Sequence, residues 1–198
     1  MTDHYYSENP KSDSEIKKIK QKILGKDFEF FTSSGVFSKD HIDIGTITLC
    51  ENMLIEREAK VLDIGCGIGV LGIVACKIFD ANVIMTDINK RAVMLSKKNL
   101  GLNKAEGIVL QGDLFEKIKN NDFDDVLSNP PQHAGKELCF KLIEESKNYL
   151  KPKGNLQIVA RHTKGGKTLS LKMKEVFANV EVIGRKSGFT VYRSVKFS

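Results

Sequence analysis

The segment Val126-Leu127-Ser128-Asn129-Pro130-Pro131 carries the side chain best placed to do chemistry. An apolar run ends in an amide followed by two prolines, which cannot continue a strand ladder. A strand therefore stops at Asn129 and leaves a side-chain carbonyl, with freed backbone carbonyls, at its carboxyl end. In open α/β sheets that edge is where ligands bind. Asn supplies a carbonyl acceptor, and the prolines stiffen a turn whose carbonyls face outward. Two acceptors held together grip an exocyclic NH2 group and aim its nitrogen at an electrophile. Taken alone, Asn-Pro-Pro is also a plain turn signal. Its meaning depends on what lies upstream.

Upstream, three acids stand at the ends of apolar runs. Asp63 comes just before Gly65, Gly67 and Gly69. Glycines there allow a tight turn and close backbone approach to a nucleotide at a helix amino terminus. The dinucleotide pattern G-x-G-x-x-G also fits Gly67, Gly69 and Gly72,. A carboxylate at 63 would repel a pyrophosphate, however, and suits a cationic ligand such as an amino-acid ammonium group. Asp87 follows the run 82–86, 22 residues after Gly65, an offset from which an acid accepts both ribose hydroxyls. Asp113, in Gln111-Gly112-Asp113-Leu114-Phe115, ends a third run and can accept from an adenine amino group,. With Asn129, four successive strands each end in a polar acceptor on one edge.

Placing these residues on one edge requires alternating strands and helices, and the chain has that pattern from residue 59 onward,. Strands are expected at 60–64, 82–86, 107–110, 123–127 and 155–160, and helices at 70–79, 90–100, 138–150 and 168–177. The end, 179–184 and 188–197, reads as two strands joined by the turn Arg185-Lys186-Ser187-Gly188,. A closing hairpin implies one antiparallel strand in an otherwise parallel sheet. Residues 1–55 are different: a short strand around 26–31, a turn at Ser33-Ser34-Gly35, then a helix entry and helix over 40–54. The expected organisation is an amino-terminal cap, 1–55, and an α/β domain, 56–198.

The 198 residues suffice for one domain with a full core and are short for two,. No apolar run approaches the ~18 residues of a membrane span, and the polar start 1–9 is no secretory signal, so the cytosol is the expected location. Cys50, Cys66, Cys76 and Cys139 show no zinc-finger spacing, and His4, His41 and His162 no metal spacing,. Reduced thiols and no metal are expected. The net charge is +6, unevenly distributed: residues 151–198 hold eleven Lys or Arg against Glu175 and Glu181. Such a basic quarter suits a polyanion on one side, although a solvated Lys-rich surface gives the same count. Arg161, Lys164, Lys167, Lys172, Arg185, Lys186 and Arg193 are the candidate phosphate contacts,. Gly166-Lys167-Thr168 echoes a phosphate-binding loop, but Arg161 stands where that pattern needs Gly,.

Asp63-x-Gly65-x-Gly67-x-Gly69, Asp87, Asp113 and Asn129-Pro130-Pro131 together resemble the motif series of class I S-adenosylmethionine-dependent methyltransferases. Ser34-Gly35-Val36-Phe37-Ser38, Asp43-x-Gly45-Thr46, Ala134-Gly135-Lys136 and the opening His4-Tyr5-Tyr6-Ser7 with Pro10 narrow the resemblance. They are similar to small stand-alone methyltransferases related to the enzymes that methylate guanine N2 in small-subunit ribosomal RNA.

The resemblance covers nearly the whole chain and implies a Rossmann-like, seven-stranded α/β sheet with an antiparallel carboxyl-terminal hairpin and a short amino-terminal cap. It also implies S-adenosylmethionine as cofactor, held by Phe37, Thr46, Asp63, Gly65, Cys66, Gly67, Gly69, Asp87, Ile88, Asp113, Leu114 and Asn129. Asn129, Pro130 and Pro131 would serve catalysis, Phe37 and Thr46 would close the cap, and RNA would be the partner. The target base should be unpaired or flipped out. One departure stands out: relatives often place an aromatic residue directly after Asn-Pro-Pro to stack on the base, and here Gln132 follows. Phe37 and Phe115 are the candidates to replace it, and His133 is a candidate phosphate contact. Competing readings are methylation of another planar amine (adenine N6 or a protein glutamine amide) and a ribosome-assembly RNA-binding protein with a vestigial pocket. An NAD-dependent oxidoreductase is disfavoured by Asp63.

Overall fold

The parallel strands bury almost every residue, so their sequences run apolar rather than alternating. Val61, Leu62 and Ile64 of β3 (Lys60–Ile64) are all inaccessible to solvent. Consecutive side chains point to opposite faces of the sheet. Val61 accordingly joins one core with Val83, Met85, Leu127 and Val159, while Leu62 and Ile64 join a second with Val126, Leu156 and Ile158. This computed structural model describes residues 15–34, 36, 41–131 and 135–197. Phe37, Gln132, His133 and the opening segment around His4 lie outside the described residues.

The remaining strands are β4 (Asn82–Asp87), β5 (Ile108–Gln111), β6 (Phe123–Ser128), β7 (Leu150–Arg161), β8 (Glu181–Lys186) and β9 (Phe189–Val195). They form one seven-stranded sheet in the order β5-β4-β3-β6-β7-β9-β8. β3 to β7 pair in parallel, and β9 lies antiparallel between β7 and β8. Helices α2 (Val70–Phe79), α3 (Lys90–Leu102), α4 (Lys136–Tyr149) and α5 (Gly166–Phe177) follow β3, β4, β6 and β7. The order reverses between β3 and β6, so the loops after Ile64 and Ser128 open side by side at the switch point where α/β sheets bind ligands,. This is the α/β architecture with an antiparallel carboxyl-terminal hairpin that the sequence implied. Among the described residues no helix is long and apolar enough to cross a membrane.

Three local differences have physical causes. The β8–β9 turn has only two residues, Ser187 and Gly188, at φ 50° and 80°, the left-handed pair that matches the twist of a hairpin. The strand expected from 155 begins at Leu150, because Lys153 N–H donates to the Lys196 carbonyl and Gly154 accepts from Lys196 N–H. The third is an unforeseen strand. β1 (Ile16–Ile23) pairs antiparallel with β2 (Lys26–Ser33) in a separate two-stranded sheet. Its inward face is Ile19, Gln21 and Ile23, and four lysines hide that alternation.

The hairpin docks on α3 through side-chain amides. The outer edge of β2 presents unpaired backbone groups, and Asn99 and Asn103, one helical turn apart, meet them at alternate residues. Asn99 accepts from Phe31 N–H (2.7 Å) and donates to the Phe31 carbonyl (3.0 Å); Asn103 does the same for Glu29 at 3.1 and 2.7 Å. Asn99 is fully buried and also donates to the Ile68 carbonyl (2.9 Å), tying the hairpin to the glycine loop. Orphaned buried backbone groups cost about 1–3 kcal/mol each. Asn99→Ala should therefore lower unfolding free energy by about 3 kcal/mol and the half-buried Asn103→Ala by about 1 kcal/mol, as urea titration would measure. Helix α1 (Ile44–Asn52) packs on β7, β8 and β9. Ile23, Phe28, Phe30, Ile47 and Leu49 share the core of Val61, so the hydrophobic core is continuous across the expected boundary at 55.

Candidate functional site

A cleft of about 330 Å³ opens at the carboxyl edge of the sheet, lined by the loops after β3, β4, β5 and β6 and by 41–46. Its floor is the turn 65–69. Gly65 sits at φ +68°, and a Cβ built there would meet nothing within 4 Å, so the backbone itself faces open cleft. Gly72 has a different role: a Cβ there would lie 2.5 Å from Met85 Sδ, so the missing side chain lets α2 press against β4.

Asp87 shapes that turn. One carboxylate oxygen accepts from Gly67 N–H and the other from Asn89 N–H, each at 2.8 Å. The bond to Gly67 fixes the turn, and Asp87 still lines the cleft. Asp63 lies beneath the turn and does not line the cleft. Its Oδ2 accepts from Gly72 N–H at 3.0 Å, and Oδ1 is buried without a partner among the described residues. Burial pushes its carboxyl up to about 7, against the opposing effect of the Gly72 bond, and the charge of Asp87 adds to the rise.

Cys66 is buried, its N–H donating to the Thr86 carbonyl (2.9 Å) and its thiol pushed well up by burial. Ile88 and Leu114 contribute apolar wall. Leu114 adopts φ 45°, and its carbonyl accepts from Thr86 Oγ1 at 3.1 Å. Asp113 lines the cleft half-exposed, with Lys141 Nζ 3.6 Å away. Phe115 does not reach the cleft. It is 2% exposed and stacks on Tyr149 with ring centroids 4.5 Å apart, on the far side of the loop.

Asn129 follows the end of β6, with Pro130 buried and Pro131 half-buried after it. Its Nδ2 donates to Asp43 Oδ2 at 3.0 Å and to Thr46 Oγ1 at 2.9 Å. Asp43 is also the N-cap of α1, the same oxygen accepting from Thr46 N–H at 3.2 Å. A carboxylate only accepts, so the amide NH2 must face Asp43. That leaves Oδ1 as the group Asn129 offers to the cleft, with no donor bound to it among the described residues. Sequence reasoning placed Thr46 at the site but gave Asp43 no role there. The available signal was an acid immediately before the apolar run 44–50, an N-cap pattern.

The basic candidates separate into two sets. Arg161 ends β7, Lys164 lies in the 3-10 turn His162–Lys164, Lys167 opens α5, and Arg185 and Lys186 close β8; all five stand at the edge that carries the cleft. Lys186 is paired with Glu51 at 2.7 Å. Arg193 sits mid-strand opposite Gln157, bound to Glu181 (2.6 Å) and Asn155 (3.0 Å). Lys172 pairs with Glu144 and Glu175. The structure does not bring these last two to the rim. Arg161 itself lines the cleft, its guanidinium carbon 4.7 Å from the centroid of Phe189, which also lines it.

The profile of the methyltransferase small domain family matches residues 27–193. The uncharacterized protein YbxB of Bacillus subtilis is 36% identical over 200 residues, covering 99% of this chain and 100% of that protein. The ribosomal RNA small subunit methyltransferase C of Cronobacter sakazakii is 35% identical over 174 residues, which is 85% of this chain and 50% of that protein. The chain thus spans about half the length of the relatives of that name. Among solved structures, the 16S rRNA N2 methyltransferase of T. thermophilus, in complex with AdoMet and guanosine, superposes with a TM-score of 0.83 at 23% identity. The superposition covers 91% of this chain and 50% of that one, a likeness of fold.

Proposed function

The chain belongs to the methyltransferase small domain family, and from that premise we propose that it is an S-adenosylmethionine-dependent RNA methyltransferase forming N2-methylguanosine in small-subunit ribosomal RNA. The observation that carries this reading is the orientation of Asn129, whose NH2 is held by Asp43 and Thr46 so that Oδ1 meets the cleft. An acceptor fixed in that way is what an exocyclic amine needs and what a hydride-transfer site does not.

The residues present fit the cofactor. Asp87 lines the cleft at the tip of β4, where ribose hydroxyls would donate to it,. Asp113 and the backbone around Leu114 stand where an adenine edge would bind, against Ile88. Asp63 lies beneath the turn, and if it ionised beside a cation it would place negative charge under an amino-acid ammonium group. When bound, S-adenosylmethionine supplies an electrophilic methyl carbon for direct displacement.

The lone pair of guanine N2 is delocalised into the ring, so the free amine is a poor nucleophile. Hydrogen bonds from that NH2 to Asn129 Oδ1 and to a carbonyl at Pro130 would localise the pair and fix its line of approach. Positioning and preorganised dipoles then account for most of the acceleration. A base inside a paired helix cannot reach these acceptors, so the target is unpaired or flipped out. The basic rim supplies phosphate contacts that give affinity and salt dependence without sequence choice.

The test is methyl transfer from labelled S-adenosylmethionine to small ribosomal subunits and to their extracted RNA, followed by nucleoside digestion. Label in N2-methylguanosine is the expected result. Label in adenosine or in protein would assign the same acceptor site to another planar amine. No label, with cofactor binding retained, would favour an RNA-binding role.

A further inference from the structure

We infer that Arg161, held over the ring of Phe189, is the surface on which the target base stacks, taking the place of the aromatic residue missing after Asn129-Pro130-Pro131. The inference rests on the proposed RNA substrate. Arg161 and Asn129 end adjacent parallel strands on one edge, since Ser128 pairs with Ile158 in the β6–β7 ladder. Phe189 is the antiparallel partner of Arg161 in the β7–β9 ladder. Both line the cleft that Asn129 lines. Phe189 is only 7% exposed while Arg161 is exposed, so the pair presents a guanidinium to the cleft and keeps the ring behind it.

Arginine is suited to this role. Its planar, delocalised cation stacks on aromatic faces, and unstacked RNA bases are received on guanidinium planes as well as on rings. The cation–π contact with Phe189 holds the group at the rim of the cleft, where Arg161 is exposed,. The other aromatic candidate among the described residues, Phe115, is committed to Tyr149 in the core. A base resting on Arg161 would bring its exocyclic amine toward Asn129, whereas a phosphate bound there would hold the nucleotide by its backbone.

These two roles are separable with a ligand that has no phosphate. Guanosine binding, followed by ligand-observed NMR in the presence of S-adenosylhomocysteine, would be compared between the parent, Arg161→Lys and Phe189→Leu. Lysine keeps the charge and loses the plane. Stacking predicts about tenfold to hundredfold weaker guanosine binding in Arg161→Lys. RNA kcat/KM should fall by a similar factor, with unchanged cofactor affinity and an RNA salt slope like the parent's. Phe189→Leu, which keeps the site apolar, should also weaken guanosine. Guanosine binding equal to the parent in Arg161→Lys, or no guanosine binding by a parent that methylates RNA, would overturn the inference and leave Arg161 as a phosphate contact. A parent that methylates no RNA would instead remove the proposed function, and the inference with it.

Discussion

Asn129→Ala is expected to slow methyl transfer on the order of 10²–10³-fold, the usual cost of deleting one preorganised polar contact to the reacting group. Cofactor binding should largely survive. Asn129 has its NH2 fully engaged by Asp43 and Thr46, at 3.0 and 2.9 Å. The one group it has left for the cleft is the acceptor that, in the proposed function, would meet a substrate amine. In the proposed function, cofactor contacts would fall elsewhere, on the 65–69 turn, Asp87 and the 112–114 loop that line the same cleft. Removing the amide should therefore lower kcat and kcat/KM together, the pattern of an interaction made chiefly in the transition state. Single-turnover methylation, with cofactor affinity measured separately by calorimetry, checks both halves. An unchanged rate would remove Asn129 from the chemistry.

What was legible in the sequence is what depends on local pattern. Strands β3 to β7 announce themselves because parallel strands buried on both faces read as apolar runs, and each ends at an abrupt polar residue. Hence Asp87, Asp113 and Asn129 could be placed on one edge before any coordinates. Relations across distant segments were not legible. Asp43 and Asn129 are 86 residues apart and meet only because the amino terminus of α1 comes to the residue that follows β6. Arg161 and Phe189 face each other only through antiparallel register. Charge counting by segment was too coarse as well. It grouped Arg193 and Lys172, which are tied to acids, with Arg161 and Lys164 at the rim. Strand β1 was missed because lysines occupy its solvent face, as they often do on exposed edge strands,.

The longest of these relations gives the second large expected effect. Thr46 Oγ1 can accept or donate, so it would hold the Asn129 amide in either orientation. Only the Asp43 carboxylate, an obligate acceptor, selects the one that turns Oδ1 toward the cleft. Asp43 is thus a positioning residue, and its helix-capping role can be separated from its orienting role. Asp43→Ser retains a good N-cap for α1 but has no acceptor long enough to reach Asn129. Hydrogen bonds to a charged group contribute about 1.5–3 kcal/mol, and each 1.4 kcal/mol is tenfold in rate. Asp43→Ser should accordingly lower kcat about tenfold to hundredfold, with little change in melting temperature or cofactor affinity. Asp43→Asn keeps an acceptor oxygen without the charge and should recover part of that loss. A purely structural cap predicts the opposite: both variants fold and both turn over like the parent. The graded series in kcat, read beside unchanged thermal melts, distinguishes them.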